Sequence, residues 1–298
     1  MKDTKSRVAV ALTTLLGVAG GLLAGAQQPN NAAPSSLPGS EAKVYKTVGA
    51  TKLLLHVYQP ADHKTDEKLP VIVFFFGGGW RTGSPAQFAE HCKYLSARGM
   101  VAISVEYRVK SRHGVTPREC VADAKSAVRW VRAQAQELGV DAQRIVAGGG
   151  SAGGHLAAAT ALVKGFDEPG EDLKISSAPN ALVLFNPAID LSGLPSDLGF
   201  GEQKLALSPQ QQVRDGLPPT IIFHGTADKI APYTETIAFC QAMKRHGNRC
   251  EVVPFEGREH GFFNYGRGDG EDFKTSLRAT DEFLLSLGYL KVVNGNTR

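Results

Sequence analysis

The run Gly148-Gly149-Gly150-Ser151-Ala152-Gly153-Gly154 constrains this chain more than any other stretch. A short, mainly apolar run over 144–147 precedes it and an Ala/Leu-rich run over 155–163 follows it. A strand, a glycine-tight turn and a helix would place Ser151 at the apex, its hydroxyl exposed and its backbone in a conformation that glycine neighbours permit. At positions two before and two after the serine, a Cβ would collide with the neighbouring strand or helix, which accounts for Gly149 and Gly153. A serine that merely capped a helix would explain Ser151 but not the glycines on both sides.

The remainder of the chain alternates strands with helices. Residues 43–48 and 52–58 read as an antiparallel hairpin turning at Gly49-Ala50. The continuous apolar run over 69–76 is the pattern of a strand buried on both faces. A helix over 85–98, a strand over 101–107 and a long helix over 117–138 follow, then the strand–serine–helix unit. Strands over 181–186, 220–223 and 250–255, with helices over 232–246 and 273–287, complete the pattern. This spacing means βαβ units and a mostly parallel sheet covered by helices on both faces, with 41–298 as one α/β domain. Between Asp190 and Pro218 the periodicity lapses, so the segment reads as a short insertion near the sheet edge, a lid or substrate rim.

A serine hydroxyl is a weak nucleophile and needs a base, a group that orients the base, and donors for the oxyanion. In a fold of this type the order is nucleophile, acid, histidine, each at the carboxyl end of a strand. Asp228, in His224-Gly225-Thr226-Ala227-Asp228, directly follows the strand over 220–223. His260 follows the last strand in a loop that can return over the sheet. Of the other histidines, His155 reads as a buried structural contact and His224 as a brace for the acid loop. The glycine run Gly77-Gly78-Gly79, directly after a strand, supplies backbone donors: Gly78 and Gly79, with the N–H of Ala152, form the expected oxyanion hole. Trp80 is expected to face the cleft as an apolar wall of the substrate site.

Residues 1–26 have a basic start, an apolar stretch over 8–23 and Ala24-Gly25-Ala26 before Gln27, the pattern of a secretory signal peptide. The competing reading is an uncleaved membrane anchor. Residues 27–40, rich in Pro, Asn, Ala and Ser, read as a flexible linker that packs against nothing. The formal charge of +4 falls to about +2 once the first segment is set aside, which gives no footing for nucleic acid or a membrane surface. The four cysteines of an exported chain allow three pairings. Cys240 sits roughly 9 Å from the end of its helix at 1.5 Å per residue, and Cys250 roughly 10 Å along the returning strand at 3.3 Å per residue. The two are level on adjacent elements, making Cys240–Cys250 the favoured disulfide. Cys92 and Cys120 then remain as a second pair by arithmetic alone, and four buried free thiols are the alternative.

The segments Phe75-Phe76-Gly77-Gly78-Gly79-Trp80, Glu106-Tyr107-Arg108, Gly149-Gly150-Ser151-Ala152-Gly153-Gly154-His155, His224-Gly225-Thr226-Ala227-Asp228 and His260-Gly261-Phe262-Phe263 span most of 70–265. With them the chain resembles the esterase/lipase branch of the α/β-hydrolases, near the hormone-sensitive-lipase-like carboxylesterases and the bacterial acetyl xylan esterase and feruloyl esterase group. One departure stands out: that family usually has a histidine before the glycine run, where this chain has Phe76. The resemblance implies a secreted or periplasmic serine esterase without metal or organic cofactor, acting on short-acyl esters such as acetyl or feruloyl groups on polysaccharide. A prolyl-oligopeptidase-type peptidase would share the triad but normally carries a large extra domain, a long-chain lipase would need a larger apolar lid, and a non-catalytic carbohydrate-binding member of the fold would not need the intact Ser/Asp/His set.

Overall fold

The computed structural model describes residues 33–292. Within them eight strands join in one sheet: β1 (Glu41–Val48), β2 (Thr51–Tyr58), β3 (Leu69–Phe75), β4 (Val101–Val105), β5 (Val140–Gly150), β6 (Ala181–Phe185), β7 (Thr220–Gly225) and β8 (Cys250–Phe255). Their order is β1-β2-β4-β3-β5-β6-β7-β8, antiparallel at β1–β2 and β2–β4 and parallel from there on. The helices are α1 (Ala89–Ala97), a single turn α2 (Lys110–His113), α3 (Pro117–Ala133), α4 (Ala152–Leu162), a single turn α5 (Lys204–Leu207), α6 (Tyr233–Arg245) and α7 (Glu271–Ser286). The mostly parallel sheet is the one expected from the alternating pattern, and the whole is the α/β-hydrolase fold that the resemblance implies.

Two-residue periodicity divides the core. Val71, Val73 and Phe75 of β3 pack with Val121 and Val128 of α3, Leu156 of α4 and Met243 of α6 on one face of the sheet. Ile72 and Phe74 pack with Leu95 of α1 and Phe283 of α7 on the other. That division decides the cysteines. Cys240 and Cys250 are joined by a disulfide, with Cα atoms 5.4 Å apart. Cys92 and Cys120, left as a second pair, are both free and buried. Cys92 belongs to the α1–α7 face and Cys120 to the α3–α4 face, so the sheet itself stands between them.

The lead-in also departs from expectation. The signal segment over 1–26 and residues 27–32 lie outside the described residues, but Leu37, expected to pack against nothing, is buried in the same cluster as Tyr58. A turn closed by Ser40 N donating to the Leu37 carbonyl folds it back there. The irregular segment over 190–218 forms short helical turns that lie against α4. Leu191, Phe200 and Leu207 are buried, and Arg214 donates to the carbonyls of Ala161 and Leu162 at the end of α4.

A buried ionic cluster ties the β1 edge of the sheet and the chain just beyond β4 to α3. Arg108, just beyond β4, donates twice to the Asp123 carboxylate at 2.8 and 2.7 Å, and Lys46 of β1 reaches the same group at 2.7 Å. Glu168 accepts from both cations, so the charges are paired and their hydrogen bonds filled, the condition under which burial of ions is tolerated.

Candidate active site

The turn at the end of β5 carries the candidate nucleophile. Ser151 has φ 56° and ψ −122°, an unusual conformation for a residue with a side chain. Three backbone bonds hold it there: its N–H donates to the Phe185 carbonyl, and its own carbonyl accepts from His155 and Ala188. A Cβ at Gly153 would strike the Phe75 and Phe76 carbonyls, and one at Gly149 would strike Gly153. The crossing of α4 over β3 and β5 is therefore closed to any side chain at these two positions.

Ser151 Oγ lies 2.9 Å from His260 Nε2, and His260 Nδ1 lies 2.7 Å from Asp228 Oδ2. An ionised carboxylate only accepts, so Nδ1 carries the proton and Nε2 is left to accept from the serine hydroxyl. The acid loop after β7 and the histidine loop after β8 are fastened together where Thr226 and Ala227 amides donate to the Phe255 and Arg258 carbonyls. Asp228 is saturated: Oδ1 accepts from the Ile230 and Ala231 amides, and Oδ2 faces His224 Nε2 at 3.3 Å as well as His260. Burial alone would raise its pKa, but the hydrogen bonds from His224, His260 and the two amides outweigh it and hold the carboxyl well below the ordinary carboxylate range. His224 is itself braced by Thr236 Oγ1 and the Ala231 carbonyl, each at 2.8 Å.

The glycine run after β3 borders the same space. Gly77, Gly78 and Gly79 line a cavity of about 300 Å³ with Ser151, His260 and Phe263. Gly77 N–H donates to Gln87 Oε1 at 2.6 Å, whereas the N–H groups of Gly78, Gly79 and Ala152 have no protein acceptor among the described residues. Gly78 has φ 122° and sits so close to the Thr82 carbonyl that a Cβ would overlap it. At the position where the resembled family usually has a histidine, Phe76 is fully buried and stacks on Tyr107. The Tyr107 hydroxyl donates to the Phe76 carbonyl, so a hydrogen bond does brace this loop, from the motif Glu106-Tyr107-Arg108 instead of from position 76.

Trp80 is not a wall of the cleft. It is 4% exposed and absent from the cavity lining. Its indole N–H donates to His155 Nδ1 at 3.2 Å, His155 Nε2 lies 2.9 Å from the Leu207 carbonyl, and Phe200 meets the indole edge-on. The imidazole and Phe200 hold the ring within the core. None of the residues of the 190–218 segment lines this cavity, although Asp197 pairs with Arg81 just after the glycine run. Sequence reasoning missed Gln87, Asn186 and Asn264, which do line it. Among the described residues no three His, Cys, Asp or Glu side chains converge as a metal-binding group.

Residues 55–204, half of the chain, match the BD-FAE family model, and these residues hold both the glycine run and Ser151. The chain belongs to the BD-FAE family. Residues 193–285, with Asp228 and His260, match the prolyl oligopeptidase family model, so this BD-FAE member divides its candidate triad between two related patterns. Its fold is closely similar to apo Thermogutta terrifontis esterase 2, with a TM-score of 0.83 and 54% identity over 85% of this chain and 97% of that one. The same esterase has been solved with propionate bound, with butyrate bound and phosphorylated by paraoxon. Esterase LipC of Mycobacterium tuberculosis is 30% identical over 70% of this chain and 57% of its own length. Carboxylesterase NlhH of the same organism is 28% identical over 73% of each. The chain spans about half the length of several other curated relatives it matches.

Proposed function

We propose that this BD-FAE member is a serine carboxylesterase for short-acyl esters. The observation that carries the reading is the hydrogen-bonded line Ser151–His260–Asp228 at the edge of a small cavity. Ser151 attacks the ester carbonyl while His260 Nε2 takes its proton, and the imidazolium formed is stabilised by the ionised Asp228. The developing oxyanion is received by the N–H groups of Gly78, Gly79 and Ala152. His260 then protonates the leaving alcohol, and water, deprotonated by the same imidazole, releases the acid from the acyl-enzyme.

The solved complexes of the Thermogutta esterase with propionate and butyrate support acyl chains of a few carbons. Acetyl or feruloyl groups on polysaccharide fall within our reading of the ester class, although the buried Trp80 offers no face to a sugar. We also read residues 1–26 as a removed export signal and the mature chain as periplasmic or secreted. The A-x-A pattern and the Cys240–Cys250 disulfide support this, and a mature N-terminus other than Gln27 by mass spectrometry would count against it.

The test uses p-nitrophenyl acetate, butyrate and octanoate, and acetylated xylan, with Ser151→Ala as control. Turnover that disappears in Ser151→Ala and is at least about tenfold faster on butyrate than on octanoate is expected. Turnover independent of Ser151 would overturn the serine mechanism, and equal rates on acetate and octanoate would overturn the short-acyl range.

A further inference from the structure

The oxyanion loop and the histidine loop, far apart in the chain, are tied by two side-chain amides. Gln87 lies in the 3-10 turn Pro85–Phe88, just before α1. Its Oε1 accepts from Gly77 N–H at 2.6 Å, and its Nε2 donates to Asn264 Oδ1 at 2.8 Å. Asn264 Nδ2 in turn donates to the carbonyl of Gly261, the neighbour of His260, at 2.8 Å. The backbone fixes both orientations. An N–H at one end demands the oxygen of Gln87, a carbonyl at the other demands the nitrogen of Asn264, and only one arrangement then joins the two amides. Gly77, Gln87, Gly261 and Asn264 all line the cavity that holds Ser151.

We propose that Gln87 and Asn264 are positioning residues: a strut that sets the distance between the Gly78–Gly79 donors and the His260 imidazole. This inference rests on the esterase reading. Transition-state donors and the general base must be held to within about half an ångström to act on the same carbonyl. The strut reaches the donors one peptide away, through Gly77, and the base one peptide away, through Gly261. Its amide groups are engaged with Gly77, Gly261 and each other, so its loss falls on kcat and leaves KM largely in place.

The experiment compares wild type, Gln87→Ala, Asn264→Ala and the double variant on p-nitrophenyl butyrate, with thermal unfolding in parallel and Ser151→Ala as the baseline. Each single variant is expected to lose about tenfold or more in kcat, short of the 10²–10³ for removal of an oxyanion donor itself, with KM within about threefold. The double variant is expected to fall no further than the worse single, because one strut is broken in all three. Should Gln87→Ala fail to fold, Asn264→Ala carries the test, since it leaves the Gly77–Gln87 bond intact. Ser151-dependent turnover with kcat within twofold of wild type in Asn264→Ala, losses that multiply in the double variant, or a loss confined to KM would each overturn the strut and leave the esterase reading standing. Wild-type protein without Ser151-dependent turnover would overturn both.

Discussion

The Tyr107 hydroxyl donates to the Phe76 carbonyl at 2.7 Å while the two rings stack with centroids 4.1 Å apart, so a single side chain grips both the backbone and the side chain at the root of the Gly77–Gly79 loop. Tyr107→Phe keeps the stacking and strands a buried carbonyl. The expected cost is about 1–3 kcal/mol in stability, read by denaturant unfolding, together with a fall in kcat. An unchanged unfolding midpoint would show that the hydroxyl is not the brace.

The carboxyl of Asp228 is expected to make itself felt in both rate and pH. Asp228→Asn removes the negative partner of His260 and permits the wrong imidazole tautomer, for a loss of about 10⁴ in kcat. Its folded pKa lies below the unfolded value of about 3.9, so the stability it lends is complete above that pH and drains away as the pH falls through the folded value. The stability gap between wild type and Asp228→Asn should accordingly be wider at pH 6 than at pH 3. A gap that widens on acidification would contradict the assignment.

His91 sits among Phe74, Phe88, Phe185, Phe263 and Phe273, fully buried, and neither ring nitrogen has a hydrogen-bond partner among the described residues. Burial pushes its pKa down to about 3. The unfolded chain therefore takes up a proton that the folded chain refuses between about pH 6.5 and 3, and stability falls on acidification by up to about 1.4 kcal/mol per pH unit from this group. His155, lowered to about 4 by burial, acts in the same direction. Replacing His91 by Phe is expected to leave stability at pH 7 equal or higher and to flatten the decline between pH 6.5 and 4. Melting curves at several pH values decide it: an unaltered slope would refute the prediction.

The Cys240–Cys250 bridge, with a sequence separation of 10, links α6 to β8. Closing so short a loop restricts the unfolded chain by about 3 kcal/mol in the chain-entropy account. Cys240→Ser with Cys250→Ser, or reduction by dithiothreitol, should lower stability by about that amount and leave the KM for a short ester unchanged, since neither residue borders the cavity. A stability unaffected by dithiothreitol would remove the bridge from the account.

The meeting of Ser151, Asp228 and His260 was legible because each lies directly after a strand, and parallel strands deliver their carboxyl ends to one rim. The glycines of 148–154 were legible for a similar reason: a steric exclusion marks the sequence directly. Trp80 was misread because its direction is set by His155 from α4 and Phe200 from a segment without periodicity, neither of which local pattern relates to position 80. Gln87 was invisible for the same cause, its partner Asn264 lying 177 residues away. The Cys92–Cys120 arithmetic failed because counting thiols does not reveal which face of a sheet each helix covers. Tyr107 lay within a recognised motif, yet its hydrogen bond to the residue that replaces the family histidine needed the register of β3 against β4 to be seen.

The cavity beside Ser151 has two unlike walls. One is the glycine run, already without side chains, and nothing smaller can be substituted there. The other includes Ile230, 67% exposed, and Phe263, whose ring fills the space a Cβ on Gly150 would need. Ile230 and Phe263 are the two apolar side chains of the lining, so widening its apolar part falls to positions 230 and 263. Phe263 also stacks on Phe185 and Phe88, so each gain in substrate breadth there is coupled to a loosening of the aromatic core beneath the site.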